Sequence, residues 1–384
     1  MKNSTLLIYP TAQALGASAA PIVISLAGLV SIALGAPKDI ATLPIFLLNA
    51  GMAMSTLIAA YSIKTVGRKT AYLIAAIIGL VGAALQTTAI MQTSFLIFCF
   101  GTALLGFNAA HIQTYRFAVL EGQEPHNHGK AISRVMLGGL AAAIIGPQIV
   151  VWSGKLHEAQ YVASFSGIAL LLILQLTALA WLPRRPQAQL QQQAAAKISI
   201  WSLLKRPAYV TAVLSGVVSF ALMAFVMTAA PIAMVSHGHH VNDAALGIQW
   251  HVLAMYAPSF FTGKLIERYG KNLITSIGLL LIALSGGLAF IGMDLMHFWG
   301  TLILLGLGWN FGFTGATALV AASVSDEEKS VAQGLNDFLI FSTSAIGSLM
   351  AGFMFNSIGW QMLNLVVFPC VALALALILI NRTR

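Results

Sequence analysis

Charge is scarce in this chain. Asp, Glu, Lys and Arg make up 8% of its 384 residues, against about 25% in a soluble domain. In the first 182 residues the acidic groups are Asp39, Glu121, Glu124 and Glu158, and all of them fall between apolar runs. A soluble globular domain is therefore excluded. Cysteine is nearly absent too: Cys99 and Cys370 sit in apolar stretches of opposite halves, where a structural disulfide has no purpose, and both are expected to be small core residues. No phosphate loop or nucleophile elbow occurs. His157-Glu158-Ala159-Gln160-Tyr161 ends in tyrosine where a zinc-protease motif needs its second histidine, so no enzyme, catalytic residue or cofactor is expected.

What the chain has is apolar length. Hydrophobic residues account for 58% of it, and the mean hydropathy is +0.86. A bilayer core of about 30 Å needs roughly 20 apolar helical residues. Runs of that length recur at 9–34, 41–63, 71–90, 94–117, 132–152, 159–182, 209–235, 246–266, 273–293, 298–320, 331–357 and 363–380. The 34 glycines spread among larger apolar residues predict close helix packing in lipid rather than a barrel. The expected fold is an all-α polytopic membrane protein with twelve transmembrane helices in two six-helix halves. Lys2 and Ala17-Ser18-Ala19 resemble a cleavable leader, but cleavage would destroy the first helix, so retention is expected.

The net charge of +9 would suggest nucleic acid in a soluble protein; here it is a statement about sides of a membrane. With the N-terminus inside, all of the 20 Lys and Arg except Lys38 and Lys155 fall at cytoplasmic ends or loops. Both termini are predicted to be cytoplasmic, in a bacterial inner membrane, with lipid as the main partner and no nucleic acid. The polar, Gln-rich stretch 183–208 separates an N-terminal half (1–182) from a C-terminal half (209–384) as a cytoplasmic linker. Its 198–204 segment suits a short amphipathic helix on the membrane surface.

A repeat supports the division. Residues 60–69, including Lys64, Gly67 and Arg68, align with Gly263-Lys264-Leu265-Ile266-Glu267-Arg268-Tyr269-Gly270-Lys271. The second copy resembles the G-x-x-x-D/E-R-x-G-R/K loop of the major facilitator superfamily, and the first is a degenerate copy. The resemblance implies alternating access, with Lys64, Gly67, Arg68, Gly263, Glu267, Arg268 and Gly270 holding one gate state. Lys64 stands where an acidic residue is expected, and Asp337 is the candidate to supply the missing charge.

The sharpest chemical pattern is sulfur with imidazole. Met223 and Met227 are spaced i, i+4 in the seventh helix, and His251 and Met255 share that spacing in the eighth. A membrane-embedded histidine is costly without a partner and is a functional candidate. Counting from the outer helix ends at about 1.5 Å per residue puts Met227 and Met255 near one level. Thioethers with imidazole select copper(I) over magnesium or manganese. The pattern resembles the CcoA-like copper importers, which carry M-x-x-x-M and H-x-x-x-M in these helices. That resemblance implies a copper(I) site of Met223, Met227, His251 and Met255, with copper or a small chelate as cargo and a cytoplasmic or periplasmic copper chaperone as partner. His237, His239 and His240 of the outer loop are expected to capture the metal. Met52, Met54, Met350 and Met354 read as packing.

Other readings stay open. Relatives in the same branch move riboflavin, and Trp309, Tyr256, Phe260, Asn310 and Gln249 would suit a flat aromatic solute. Asn310, Asn336 and Asp337, with Asn108, His111, Gln113, Tyr115 and Arg116, form polar stripes along two paths. A drug exporter is the weaker alternative, because no acidic residue lies in the first six helices and Gly146-Pro147 is followed by Val150 and Val151 rather than the glycines of an antiporter motif.

Overall fold

A computed structural model describes residues 2–120, 128–183, 199–325 and 327–382, and no strand occurs among them. The first span is α1 (Lys2–Ala17) followed by α2 (Ala19–Ala33). Pro21 removes the N–H that the Ala17 carbonyl would accept, and beside this break Ser18 Oγ donates to Ala14 O at 2.6 Å. A 3₁₀ turn at Lys38–Ile40 leads into α3 (Leu43–Val66), then α4 (Arg68–Met91), α5 (Phe95–Ile112), the single turn α6 (Tyr115–Ala118), α7 (His128–Ser153) and α8 (Gln160–Ala180). Residues 184–198 of the expected linker lie outside the described part. After them α9 (Ile200–Leu204) buries Leu203 and leaves Trp201 73% exposed, as a helix lying on a membrane surface would.

The second half begins with α10 (Pro207–Ser236). Its next span is broken into α11 (Val241–Tyr256) and α12 (Ser259–Tyr269), each too short to cross a bilayer alone. Pro258 takes away the N–H due to Ala254, and Asn310 braces the break: its Nδ2 donates to Met255 O at 2.6 Å and Ser259 Oγ at 2.7 Å, while its Oδ1 accepts from Thr262 Oγ1 at 2.6 Å. Then come α13 (Lys271–Ile291), α14 (Leu295–Ala322), α15 (Lys329–Leu365) and α16 (Val367–Arg382). The 37 residues of α15 would extend about 55 Å as a straight helix, nearly twice the bilayer core. Gly359, at φ 78° and ψ 177°, turns the chain, so the eleventh span ends there and the last begins. Among the described residues twelve spans result, with breaks in the first and the eighth.

The halves repeat one another where sequence suggested they would. Gly67 (φ 79°, ψ 159°) ends α3 and opens α4, and Gly270 (φ 86°, ψ 150°) does the same between α12 and α13. Both lie in the left-handed region that a side chain disfavours. Beyond each loop the following two spans touch backbone to backbone. A Cβ on Gly82 would lie 2.6 Å from Gly101 O, and one on Gly278 would strike the backbone of Gly312. The face carrying Gly67 and Gly270 also carries Arg68, Lys69, Lys264, Arg268 and Lys271, and is called the basic face below. Lys69 Nζ donates to Ala180 O at 2.6 Å and Leu182 O at 2.7 Å, tying this loop to the carbonyl end of α8. A Cβ on Gly263 would meet nothing within 4 Å, so its lack of a side chain serves no close contact. Cys99 and Cys370 are both free thiols, Cys99 buried and Cys370 packed at the edge of the C-terminal core.

Candidate functional site

A cavity of about 1150 Å³, its open mouth included, lies between the two halves. Its N-terminal wall comes from α1, α2, α3, α5 and α7, and it combines small residues such as Gly16, Ala20 and Gly139 with the amides Gln13, Asn49, Asn108 and Gln113. Its C-terminal wall comes from α10, α11 and α15, with Phe220, Met223, Met227, Met255, Tyr256 and Ser344. No Asp, Glu, Lys, Arg or His is among the described lining residues, so the space suits an uncharged solute. Gln113, at the end of α5 next to the basic face, is exposed, so the cavity reaches that side.

On the opposite face the halves are joined by hydrogen bonds. Asn49 Nδ2 donates to Ser348 Oγ at 3.0 Å, Gln148 Nε2 to Gln249 Oε1 at 2.9 Å, Thr42 Oγ1 to Leu349 O at 3.2 Å and Asn356 Nδ2 to Asp39 Oδ1 at 2.5 Å. This is the arrangement of a carrier closed on one side and open on the other. At the open side Arg116 stands exposed, with its guanidinium 4.9 Å over the Phe117 ring and within electrostatic range of Tyr256 and Asp337 from the other half. Asp337 accepts from Asn336 Nδ2 at 3.2 Å.

The predicted metal ligands separate. Met223, Met227 and Met255 do share the cavity wall, as their spacing and depth suggested. His251 does not: it is fully buried, and its Nδ1 donates to Leu302 O at 2.7 Å, which turns the ring into the contact between α11 and α14. The outer histidines are individually committed as well. His237 Nδ1 bonds Ala233 O at 2.7 Å, His239 Nε2 bonds Met293 O at 2.9 Å, and His240 is the N-cap of α11 in a reciprocal capping box with Asp243. Among the described residues no group of three or more His, Cys, Asp or Glu could hold a metal ion.

The residues expected to suit a flat solute divide too. Tyr256 lines the cavity, and Trp309 supports it from behind: ring centroids are 6.3 Å apart to Tyr256, 5.5 Å to Phe220 and 5.1 Å to Phe313. Gln249 belongs to the closing contact, Asn310 to the helix brace, and Phe260 is 52% exposed on the outside. His111 joins α5 to α3, with Nε2 at 3.2 Å from Ser62 Oγ and Nδ1 at 3.0 Å from Phe107 O. The pattern-based reading passed over Gln13, Asn49, Phe220 and Ser344; lone amides in apolar helices were the available signal for the first two. Met52 lines the cavity as well.

Twelve spans, a repeated glycine-turned loop and a solvent-reachable space between halves define a secondary membrane transporter. The Major Facilitator Superfamily model matches residues 6–335 and 212–384, and the chain belongs to that family. It is 49% identical over 373 residues to "Riboflavin transporter RfnT" of Brucella anthropi, covering 96% of this chain and 94% of that one. It is 26% identical to the uncharacterized MFS-type transporter YddS of Bacillus subtilis, over 87% and 82% of the two chains. Among solved structures, a variant of the nucleoside transporter NupG superposes with a TM-score of 0.77 at 15% identity over 99% of each chain. A bacterial homolog of the lysosomal transporter Spinster, inward-facing and occupied, gives 0.76 at 13% identity over 99% of this chain and 96% of that one.

These findings correct the cargo expected from the methionine and histidine spacing. Near-half identity along almost the whole chain ties it to a riboflavin transporter rather than to the CcoA-like copper importers, so the copper(I) cargo, its chelate and its chaperone are withdrawn. The physical reason for the misreading is that i, i+4 spacing fixes which helical face two residues share, not which neighbour that face meets. His251 Nδ1 meets Leu302 O, its Nε2 has no partner among the described residues, and the ring is not in the cavity wall that the three methionines share.

Proposed function

We propose that this chain imports riboflavin, or a flat neutral solute of the same ring chemistry, across the bacterial inner membrane by alternating access. The observation that carries the reading is the 49% identity to the Brucella anthropi riboflavin transporter over 96% of this chain. An uncharged cavity with Phe220 and Tyr256 on one wall and amides on the other agrees with it: an aromatic ring stacks on the first while its polar edge meets the second. In this reading the basic face is cytoplasmic, both termini lie there, and the halves 1–182 and 209–384, joined by the 183–208 linker, rock about the cavity. The Gly67 and Gly270 loops, with Lys64, Arg68, Glu267 and Arg268, hold the cytoplasmic ends in register. Arg116 and Asp337, opposite charges from the two halves within electrostatic range of one another, approach when that side closes.

The test is uptake of radiolabelled riboflavin by a riboflavin-auxotrophic bacterium carrying either this gene or an empty vector. Accumulation above the vector level and growth at scarce riboflavin are expected. Equal accumulation in the two strains overturns the reading.

A further inference from the structure

We propose that Asn108 and Ser344 read the polar edge of the transported ring, with the Asn108 carbonyl accepting a ring imide N–H and the Ser344 hydroxyl donating to the neighbouring ring carbonyl. This rests on the riboflavin reading. Buried polar groups nearly always have hydrogen-bond partners, so an orphan in a cavity wall marks where a ligand supplies one. Several buried side-chain atoms have no partner among the described residues, and those of Asn108 and Ser344 alone belong to residues lining the central cavity. They come from opposite halves, and both residues are nearly fully buried, at 2% and 1% exposure.

The amide of Asn108 is held in one orientation. Its Nδ2 donates to Gln175 Oε1 at 3.2 Å, and Gln175 Nε2 donates in turn to the Tyr115 hydroxyl at 3.0 Å. Tyr115 is wedged between Tyr72 and Tyr9, with ring centroids at 4.7 and 5.7 Å. Behind Asn108 lies Gly79, where a Cβ would come 2.9 Å from Asn108 Cβ and 3.1 Å from Nδ2. The nitrogen edge thus packs into the N-terminal half, and the carbonyl oxygen, on the other edge of the amide, is left as a fixed acceptor without a donor.

Ser344 stands out against its own helix. Thr343 donates to Leu339 O at 2.7 Å and Ser348 to Ser344 O at 3.0 Å, the usual way a helical hydroxyl is satisfied, whereas the Ser344 hydroxyl has no partner. A neutral acceptor on one wall and a free hydroxyl on the other complement an N–H beside a C=O. The isoalloxazine ring of riboflavin presents one N–H flanked by two carbonyls, so its imide edge fits this pair while its flat face lies on Phe220 and Tyr256. A solute bound in this way bridges both halves.

Competition against radiolabelled riboflavin uptake tests the assignment, with unlabelled riboflavin and N3-methylriboflavin as competitors. In wild type the methylated analogue, which lacks the N–H and leaves the acceptor unpaired, should inhibit about tenfold less well. Asn108→Leu, at matched membrane abundance, should take up less riboflavin and prefer it by no more than about twofold, since the acceptor is gone. Ser344→Ala should weaken inhibition by both competitors and keep the preference. Equal inhibition in wild type, which requires no variant, overturns the assignment, and so does a tenfold preference persisting in Asn108→Leu. Wild-type cells that accumulate riboflavin in either of those outcomes leave the transport reading standing, whereas absence of uptake overturns both.

Discussion

The two walls of the central cavity are built from the same fold and from different chemistry. On the N-terminal side Gln13, Asn49, Asn108 and Gln113 stand among glycine and alanine; on the C-terminal side Phe220, Tyr256 and three methionines face them. At the basic face the halves agree almost angle for angle, at Gly67 and Gly270. Repetition is thus retained where the backbone must turn, and it is lost in the walls of the cavity between the halves. One wall offers stacking and soft contact, and the other offers directional hydrogen bonds. A solute that is flat on one side of its chemistry and polar at its rim uses both, and this division of labour can be broken experimentally.

The largest effect is expected from the aromatic wall. Phe220→Ala combined with Tyr256→Ala should lower riboflavin uptake by at least about tenfold, because two stacking contacts and their supporting contact with Trp309 are lost together; retention of half the wild-type uptake would show that this wall does not hold the ring. Next comes Asn310→Leu, which leaves the Met255 carbonyl and the Thr262 and Ser259 hydroxyls without their brace. It should cost about 1–3 kcal/mol, seen as a lowered thermal midpoint in detergent and reduced uptake, and an unchanged midpoint would contradict the brace.

Asp337→Asn is expected to act on closure rather than on occupancy. Riboflavin binding to purified protein should stay within about twofold while uptake falls several-fold, because a charge within electrostatic range of Arg116 is removed but no cavity-lining group is. A large drop in binding would move Asp337 into the site.

A smaller effect distinguishes shape from sulfur on the C-terminal wall. Met223→Leu, Met227→Leu and Met255→Leu together keep volume and apolar character, so uptake should remain above about half of wild type. Loss of most uptake would mean that the thioethers do more than fill space. The smallest effect concerns Arg206 and Glu328, which pair at 2.7 Å at the basic-face ends of α10 and α15. The guanidinium, helped by the Ser325 N–H, holds the Glu328 carboxyl down at about 2, below its ordinary value of 4.5. A depressed carboxylate stabilises the fold fully above pH 4.5 and loses that contribution as the pH falls toward 2. The pair lies at the surface, with the Arg206 side chain 40% and the Glu328 side chain 15% exposed, so Glu328→Gln at pH 7 should shift the thermal midpoint by no more than about 2 °C. A larger shift would show that this clasp between the first and fifth spans of the C-terminal half matters more than solvent screening allows.

Much of the fold was legible because hydropathy and glycine report local physics. The run at 331–357 and the run at 363–380 flank Gly359, the turn that ends one span and starts the next. The loop repeat was legible because Gly67 and Gly270 are needed for a positive φ. The break at Pro258 was not, since its stabilising partner Asn310 lies 48 residues from Thr262 in sequence. Of the cavity, Met223, Met227 and Met255 were found by helical spacing, whereas Asn49 and Ser344 carried no periodic mark.

By itself the sequence determined that this chain crosses the membrane twelve times in two related halves, since a lipid interior leaves an apolar run no other low-energy course. It also determined which residues share a helical face. Tertiary structure alone decided where each face points. It turned His251 onto the Leu302 carbonyl, and it assigned His237 and His239 to backbone carbonyls and His240 to a helix cap. It also left the Asn108 carbonyl and the Ser344 hydroxyl, on two residues lining a neutral cavity, without a partner among the described residues. The reason is geometric: a helix can rotate about its axis without changing its own hydrogen bonds, so only its packing against other helices sets which side chains line the cavity.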